Sequence, residues 1–303
     1  RLSACESIEM TLRAGETLMP SVVKLFFSLT CDGAPISELT AADFTVLEDG
    51  DEVSPFESDQ TLVPSSLEYQ ISRALVLDMS ASIVESGYLS ALQTAALAFV
   101  EQVTNDQELG VFIFDGREHI EQLVPFTNDA NELNEAIEQL DERTAEDPST
   151  NLNGAVIEGL GQLDLEQQLY GGGLFAGSLI VFTDGMDQAG YFSDSEAVEE
   201  AASSEHSIYT VGLGSDVDQS HLQAVGRNGF FWASEVGQLD SAFDSLATSV
   251  LSEANSLYAL AYCSPKRAGE HQLTLVLTGT QASVSYDFDA DAFESGCDPS
   301  DFV

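Results

Sequence analysis

The sequence predicts an α/β protein in which a doubly wound, mostly parallel sheet is inserted into a β-sandwich built jointly by the N- and C-terminal segments. Three observations predict it. Between residues 71 and 254, short apolar runs alternate with segments whose apolar positions recur at helical spacing, the pattern of a sheet covered by helices on both faces. Residues 1–70 and 255–303 instead alternate apolar and polar positions and carry turn dipeptides, as antiparallel strands do. The four cysteines, Cys5, Cys31, Cys263 and Cys297, fall two in each end segment and none between.

In the front segment Val22, Lys24, Phe26 and Ser28 oppose Val23, Leu25, Phe27 and Leu29, which predicts a strand with one buried and one partly wet face. Asp32-Gly33 and Asp49-Gly50 are turn signals. The inserted region opens with the apolar run Ala74 to Leu77. A helix follows over Tyr88 to Val103, where Leu89, Leu92, Ala96, Phe99 and Val103 share one face. Strands are predicted at Val111 to Phe114 and Ile120 to Val124, and helices at Ala130 to Leu140 and Leu152 to Leu169. Gly171-Gly172-Gly173, with no Lys after it, reads as a flexible loop rather than a phosphate cradle. Ser178 to Phe182 is a buried strand, followed by a helix near Ser195 to Ser204 and a strand at Ile208 to Val211. A short helix near Gln219 to Val225, a strand at Phe230 to Trp232 and a helix near Leu239 to Ala254 complete the insert, with Trp232 expected to pack. The tail reads as strands at Leu257 to Cys263, Gln272 to Leu277 and Ala282 to Phe288. About four strands in front and three behind reach the seven of a sandwich only when combined. The domains are therefore 1–70 with 255–303, and 71–254.

Composition excludes several functions. The chain carries 52 acidic and 9 basic side chains, a net charge of −43, so clustered Lys and Arg for nucleic acid or an anionic membrane are missing. The 71–254 insert has no lysine. Hydrophobic content of 44% provides for real cores rather than acidic disorder. No apolar stretch is long enough to span a bilayer, and the beginning Arg1-Leu2-Ser3-Ala4-Cys5 reads as a trimmed or processed start. No Cys-x-x-Cys pair supports zinc; an even count at the ends fits two disulfides in an extracytoplasmic protein. With the ends paired into one domain, Cys5–Cys31 and Cys263–Cys297 are the simplest bridges. Cys5–Cys297 and reduced buried thiols stay open.

Chemistry is concentrated at Asp78-Met79-Ser80-Ala81-Ser82, directly after the first apolar run. One carboxylate and two hydroxyls at the carboxyl end of a strand are hard oxygen donors, suited to Mg2+, Mn2+ or Ca2+. Two further pieces follow in order: Ser149-Thr150-Asn151-Leu152, a hydroxyl-bearing loop entering a helix, and Val181-Phe182-Thr183-Asp184-Gly185, a second strand ending in an acid. Over about residues 71–254 the sequence resembles the von Willebrand factor A family, whose fold is shared with integrin inserted domains. The resemblance implies a metal-ion-dependent adhesion site, with Ser80, Ser82 and Thr150 as hydroxyl ligands and Asp78 and Asp184 holding the coordinating waters. It implies Mg2+ first, then Ca2+ or Mn2+, and a partner protein whose acidic side chain completes the coordination. Ala81 stands where the family often has Gly. Thr150 is preferred over Ser149 because it directly precedes Asn-Leu, as the family's threonine does.

A second similarity lies in Leu39 to Gly50, and in Tyr262-Cys263-Ser264-Pro265 with Gly269-Glu270-His271. These stretches look like those flanking the A domain in bacterial secreted proteins. The expectation is thus a non-enzymatic, metal-dependent adhesion or ligand-binding module of an extracytoplasmic bacterial protein, at the cell surface, secreted or periplasmic. Its alternative is a structural or assembly subunit of a surface appendage or secretion apparatus using the same site. Asp287-Phe288-Asp289-Ala290-Asp291 begins like a calcium loop, yet Ala292 and Asp298 stand where Gly and Glu are needed. The four histidines, His119, His206, His221 and His271, are scattered without metal-binding spacing.

Overall fold

Two apolar sets alternate along Ala74–Leu77: Ala74 and Val76 point to one face of a strand, Leu75 and Leu77 to the other, and all four are fully buried. A strand with no wet face belongs inside a sheet covered on both sides. The computed structural model, which describes residues 5–36, 39–53, 60–63, 69–104, 107–171 and 174–298, builds that sheet within one of two units. The units are Gln70–Leu251, and Arg1–Tyr69 together with Ser252–Val303.

In chain order the first strands are β1 (Ile8–Leu18), β2 (Val22–Cys31), β3 (Ala34–Pro35), β4 (Phe44–Glu48), β5 (Asp51–Glu52) and β6 (Gln60–Val63). The central unit follows with β7 (Tyr69–Asp78), α1 (Ala81–Glu85), α2 (Leu89–Val103), β8 (Glu108–Phe114), β9 (Glu121–Thr127), α3 (Ala130–Glu138) and α4 (Leu152–Tyr170). It continues through β10 (Leu174–Thr183), α5 (Asp194–Ser203), β11 (Ser207–Leu213), α6 (Gln219–Val225), β12 (Gly229–Ala233) and α7 (Leu239–Asn255). The chain then returns as β13 (Leu257–Cys263), β14 (Glu270–Leu277) and β15 (Ser283–Asp289).

The central sheet has the order β12-β11-β10-β7-β8-β9. Its β7/β8, β10/β11 and β11/β12 pairs are parallel, and the edge strand β9 runs antiparallel to β8. Leu75, Leu77, Ile180 and Phe182 pack with Phe99 of α2, Ile137 of α3 and Phe243 of α7 on one face. On the other, Val76, Phe112, Leu179 and Val181 pack with Val156 and Leu160 of α4, Ala201 of α5 and Leu222 of α6. Midway along β7, Arg73 is buried. Its guanidinium donates to Gln107 Oε1 at 2.6 Å, Ser178 Oγ at 2.7 Å and the Val250 carbonyl at 3.0 Å, tying α7 to the sheet.

Three local expectations change. The helix predicted to Leu140 stops at Glu138 and tightens into a 3-10 turn over Gln139–Glu142. The five-residue α1 goes unpredicted because it lacks a repeating apolar face; only Ile83 is buried. Trp232, expected to pack, is exposed on the edge strand β12, with Nε1 donating to the Gly214 carbonyl at 2.8 Å. The Gly172-Gly173 part of the glycine loop lies outside the described residues.

In the other unit the chain ends interleave. One sheet runs β1-β2-β13-β6, with β3 on β2, and the other β15-β14-β4-β5. Front and tail pair antiparallel in both, Leu25 opposite Leu260 and Val46 opposite Leu275. Val23, Leu25, Phe27 and Leu29 of the first sheet pack with Phe44, Val46, Leu273 and Leu275 of the second. The Asp32-Gly33 and Asp49-Gly50 pairs take positive φ at both residues, the geometry of type I′ hairpin turns. β2 departs from the half-wet expectation: Val22 and Phe26 are fully buried on its second face, too apolar a pair to stay in water, and Lys24 is buried beside Glu16 across the β1 register. Cys5 is bonded to Cys31 and Cys263 to Cys297. The acids of the calcium-like run are taken up in hydrogen bonds within their own sheet and its turns. Asp289 accepts from the Asp291 amide, Asp291 from the Gly269 amide, and Asp287 from the Gln272 side chain.

With 52 acids against 9 bases, self-repulsion opposes the folded state. The melting temperature should rise steadily from dilute buffer to strong NaCl; scanning calorimetry across that series checks it, and a flat profile contradicts it. Replacing Cys263 and Cys297 together by Ser should lower stability to urea by about 2–4 kcal/mol, because the bridge closes a long loop.

Candidate metal-binding site

The chain visits β7 and then β8 on one side, and β10, β11 and β12 on the other, so a crevice opens between the carboxyl ends of β7 and β10. Asp78 ends β7. Ser80 and Ser82 follow at the start of α1, while Thr183 and Asp184 lie at the end of β10. Thr150 enters on the loop before α4.

Four of the five sequence-predicted residues form one hydrogen-bonded chain. The Ser80 amide donates to Asp78 Oδ1 at 2.8 Å, the Ser80 and Ser82 hydroxyls lie 3.1 Å apart, and Ser82 Oγ donates to Asp184 Oδ1 at 2.7 Å. Thr150 joins from the third loop. A methyl on Gly185 would lie 3.6 Å from Thr150 Oγ1, and the Gln188 and Ala189 amides donate to its carbonyl. The Ala81 amide, donating to the Pro148 carbonyl at 3.2 Å, fastens the serine segment to the same loop. Ser149 turns elsewhere: its hydroxyl donates to Asp147 at 2.7 Å and faces Gly116, where a side chain would collide with it. Asp78, Ser80, Thr150 and Asp184 are buried, and Ser82 lies on the exposed side.

The donor set fits a hard divalent cation. Ser80 occupies the N-cap of α1 yet makes no side-chain cap bond, so its hydroxyl is not consumed by the helix as an N-cap serine's ordinarily is. Asp78 is fully buried with hydrogen-bond donors but, among the described residues, no ion pair to a basic side chain. Burial therefore pushes its carboxyl up to about 6, against the opposing pull of the Ser80 and Thr183 hydrogen bonds. Asp184 is raised for the same first reason, and the charge of Asp216 adds to the rise. A cation among these oxygens would replace the missing positive charge. No group of three or more His, Cys, Asp or Glu side chains is placed to hold a metal among the described residues. The hydroxyls are therefore essential to the donor set.

Sequence reasoning missed two contributors. Thr183 Oγ1 donates to Asp78 Oδ2 at 2.6 Å and orients that carboxylate. Asp115, buried at the end of β8, accepts from the Arg117 amide and side chain and from the Glu146 and Asp147 amides, shaping the loop that delivers Thr150. Asn151, whose amide donates to the Asp115 carbonyl, caps α4 with its side chain. The available signal was Phe114-Asp115-Gly116, the same apolar-run-then-acid punctuation as Leu77-Asp78. The histidines lie in other networks: His206 is buried against Asp164, and His221 bonds Asn153.

The von Willebrand factor type A domain matches residues 74–245. The chain belongs to that family. No curated protein matches it by sequence. Among solved structures it is similar to a von Willebrand factor type A protein from Catenulispora acidiphila, at 11% identity and TM-score 0.53, over 94% of this chain and 72% of that one. It is also similar to the von Willebrand domain of the type V pili tip protein Mfa5 from Porphyromonas gingivalis, at 13% identity and TM-score 0.47, over 61% and 96% of the two chains. A third likeness is to proximal thread matrix protein 1 of the mussel byssus with a zinc-occupied metal-ion-dependent adhesion site motif, at 15% identity and TM-score 0.49, over 66% of this chain. The present chain spans about half that mussel protein's length, 49%. At these identities the likenesses are of fold. For this von Willebrand factor type A domain, the residues that gather at the crevice are its own evidence of chemistry.

A carboxyl whose folded pKa is raised is most stabilising when protonated, and that contribution is lost as pH rises from about 4 through about 6. In EDTA at pH 8, Asp78→Asn should therefore stabilise the domain by about 1–3 kcal/mol. The gain should shrink towards zero near pH 4.5. Calorimetry at both pH values checks the sign.

Proposed function

We propose that this protein is a metal-ion-dependent adhesion or protein-ligand-binding module displayed outside the cytoplasm. The observation that carries it is the chain Asp78–Ser80–Ser82–Asp184 at the sheet's switch point, two buried carboxylates joined by hydroxyls with no basic partner among the described residues. Ser80, Ser82 and Thr150 would hold the cation, Mg2+ first and Ca2+ or Mn2+ next, and Asp78 and Asp184 would hold its waters. The bound cation supplies a concentrated positive charge that a partner's carboxylate can complete. The protein's own residues supply the rest: Thr183 and the Ser80 amide orient Asp78, and Asp115 shapes the loop that carries Thr150. Neutral hydroxyls leave more charge on the metal for an incoming ligand than carboxylates in direct contact would. This is binding chemistry, and the protein is read as a non-enzyme. The two disulfides support an oxidising location.

The test uses the metal alone. Mg2+ at about a hundredfold excess over its Kd should stabilise the full chain by about 2.7 kcal/mol. Asp78→Ala should abolish the shift, and Ser80→Ala or Thr150→Val should weaken it. Melting curves with Mg2+, Mn2+, Ca2+ and EDTA decide; no shift with any cation at millimolar concentration refutes the site.

A further inference from the structure

Among the described residues, four of the eight exposed large apolar side chains belong to segments that adjoin the crevice elements, the others being Met19, Leu165, Leu169 and Tyr170. Met186 is 52% exposed, Tyr191 51%, Trp232 45% and Tyr88 37%. Met186 and Tyr191 belong to the loop after Asp184, whose Gln188 and Ala189 amides bind the Thr150 carbonyl and whose Asp187 accepts from the Asn153 and Gly190 amides. That loop is thereby held at the site. Trp232 stands at the same level of the sheet as Thr183, since Thr183 pairs with Gly212 and Gly212 with Trp232. Two strand spacings put its backbone about 10 Å from the end of β10. Its indole is fixed by the bond to Gly214. Tyr88 opens α2 just beyond α1, which the two serines begin.

Burying these residues in the core would have been the sequence's ordinary solution, and exposed acids such as Glu85 and Asp216 stand among them. Rigid aromatic and Met side chains are the types that anchor protein interfaces. Their contact area favours an apolar partner surface, and the neighbouring acids repel one rich in carboxylates.

Resting on the metal-site reading above, we propose that the crevice and this rim act as one interface. The rim selects a protein partner on which a single Glu or Asp stands among apolar side chains rather than among other charges. The cation takes the carboxylate, and Met186, Tyr191 and Trp232 take the apolar surround.

The test is an array of immobilised peptides with one central Glu flanked by Trp and Leu, by Ser, by Lys or by Asp, and matching peptides with Gln for Glu. It is probed with the full chain in Mg2+ or EDTA, in about 0.5 M NaCl so that general charge attraction is screened. Peptides with apolar flanks should bind best, and Tyr191→Ser and Trp232→Ser should each weaken them about tenfold. Leu169→Ser is the control, because Leu169 is exposed on α4 roughly 25 Å along the helix from Leu152. All three variants should keep the Mg2+-dependent melting shift. Equal or stronger binding to Ser- or Lys-flanked peptides overturns the proposal, as do rim variants that bind like the unchanged chain. So does an array without Mg2+-dependent signal while Mg2+ still shifts the melting curve. These outcomes leave the metal site standing. Binding indifferent to EDTA and to Gln in place of Glu strikes the metal-site reading and the proposal together.

Discussion

A sheet covered by helices on both faces leaves its strands one place to present polar side chains to a ligand, their ends. Ala74–Leu77 of β7 and Leu179–Phe182 of β10 are apolar throughout because each side chain faces a helix layer. Asp78 and Thr183 are the last paired residues of their strands, and Asp184 is the first residue beyond β10. The site depends on that constraint. Its carboxylates are buried by the same packing that makes the strand apolar, and their pKa values rise because the surroundings cannot solvate charge.

The acidic excess has a different physical role from the acids at the crevice. Of the four basic side chains in the 71–254 insert, Arg73 is consumed in the core and Arg117 and Arg143 are engaged by Asp115, Glu121 and Glu146. Arg227 donates to the carbonyls of Ala202, Ser204 and His206, a structural clasp on the end of α5 and the start of β11. The cationic groups are thus committed to shaping loops and helix ends. The insert therefore has no uncommitted arginine to offer an acidic partner, and a cation bound at neutral hydroxyls would supply the positive charge it lacks.

Much of this was legible in the sequence because it rests on local patterns. Period-two runs such as Ala74–Leu77 and helical spacing such as Leu92, Ala96 and Phe99 report burial directly. Asp-Gly turns report backbone geometry, which the positive φ angles at Asp32 and Asp49 show. What escaped was non-local. The half-wet expectation for β2 failed because alternation cannot count the layers over a strand. Trp232 was expected inside because size and apolarity carry no information about which strand ends up at the sheet's edge. Asp115 and Thr183 look like an ordinary loop acid and an ordinary strand residue until the strands carrying them lie beside Asp78.

By itself the sequence determined the order of strands and helices, the acidic surface, and the set of oxygen-bearing residues placed after strand ends, since each follows from residue types at short spacing. The tertiary structure alone decided that Ser82 bonds Asp184 across 102 residues of separation, joining it to Ser80 and Asp78, and that Ser149 turns away while Thr150 remains. It also decided that Met186, Tyr191 and Trp232 stay in water beside the crevice. Those outcomes depend on strand order and on which loops meet at a switch point, and neither is encoded in any single stretch of chain.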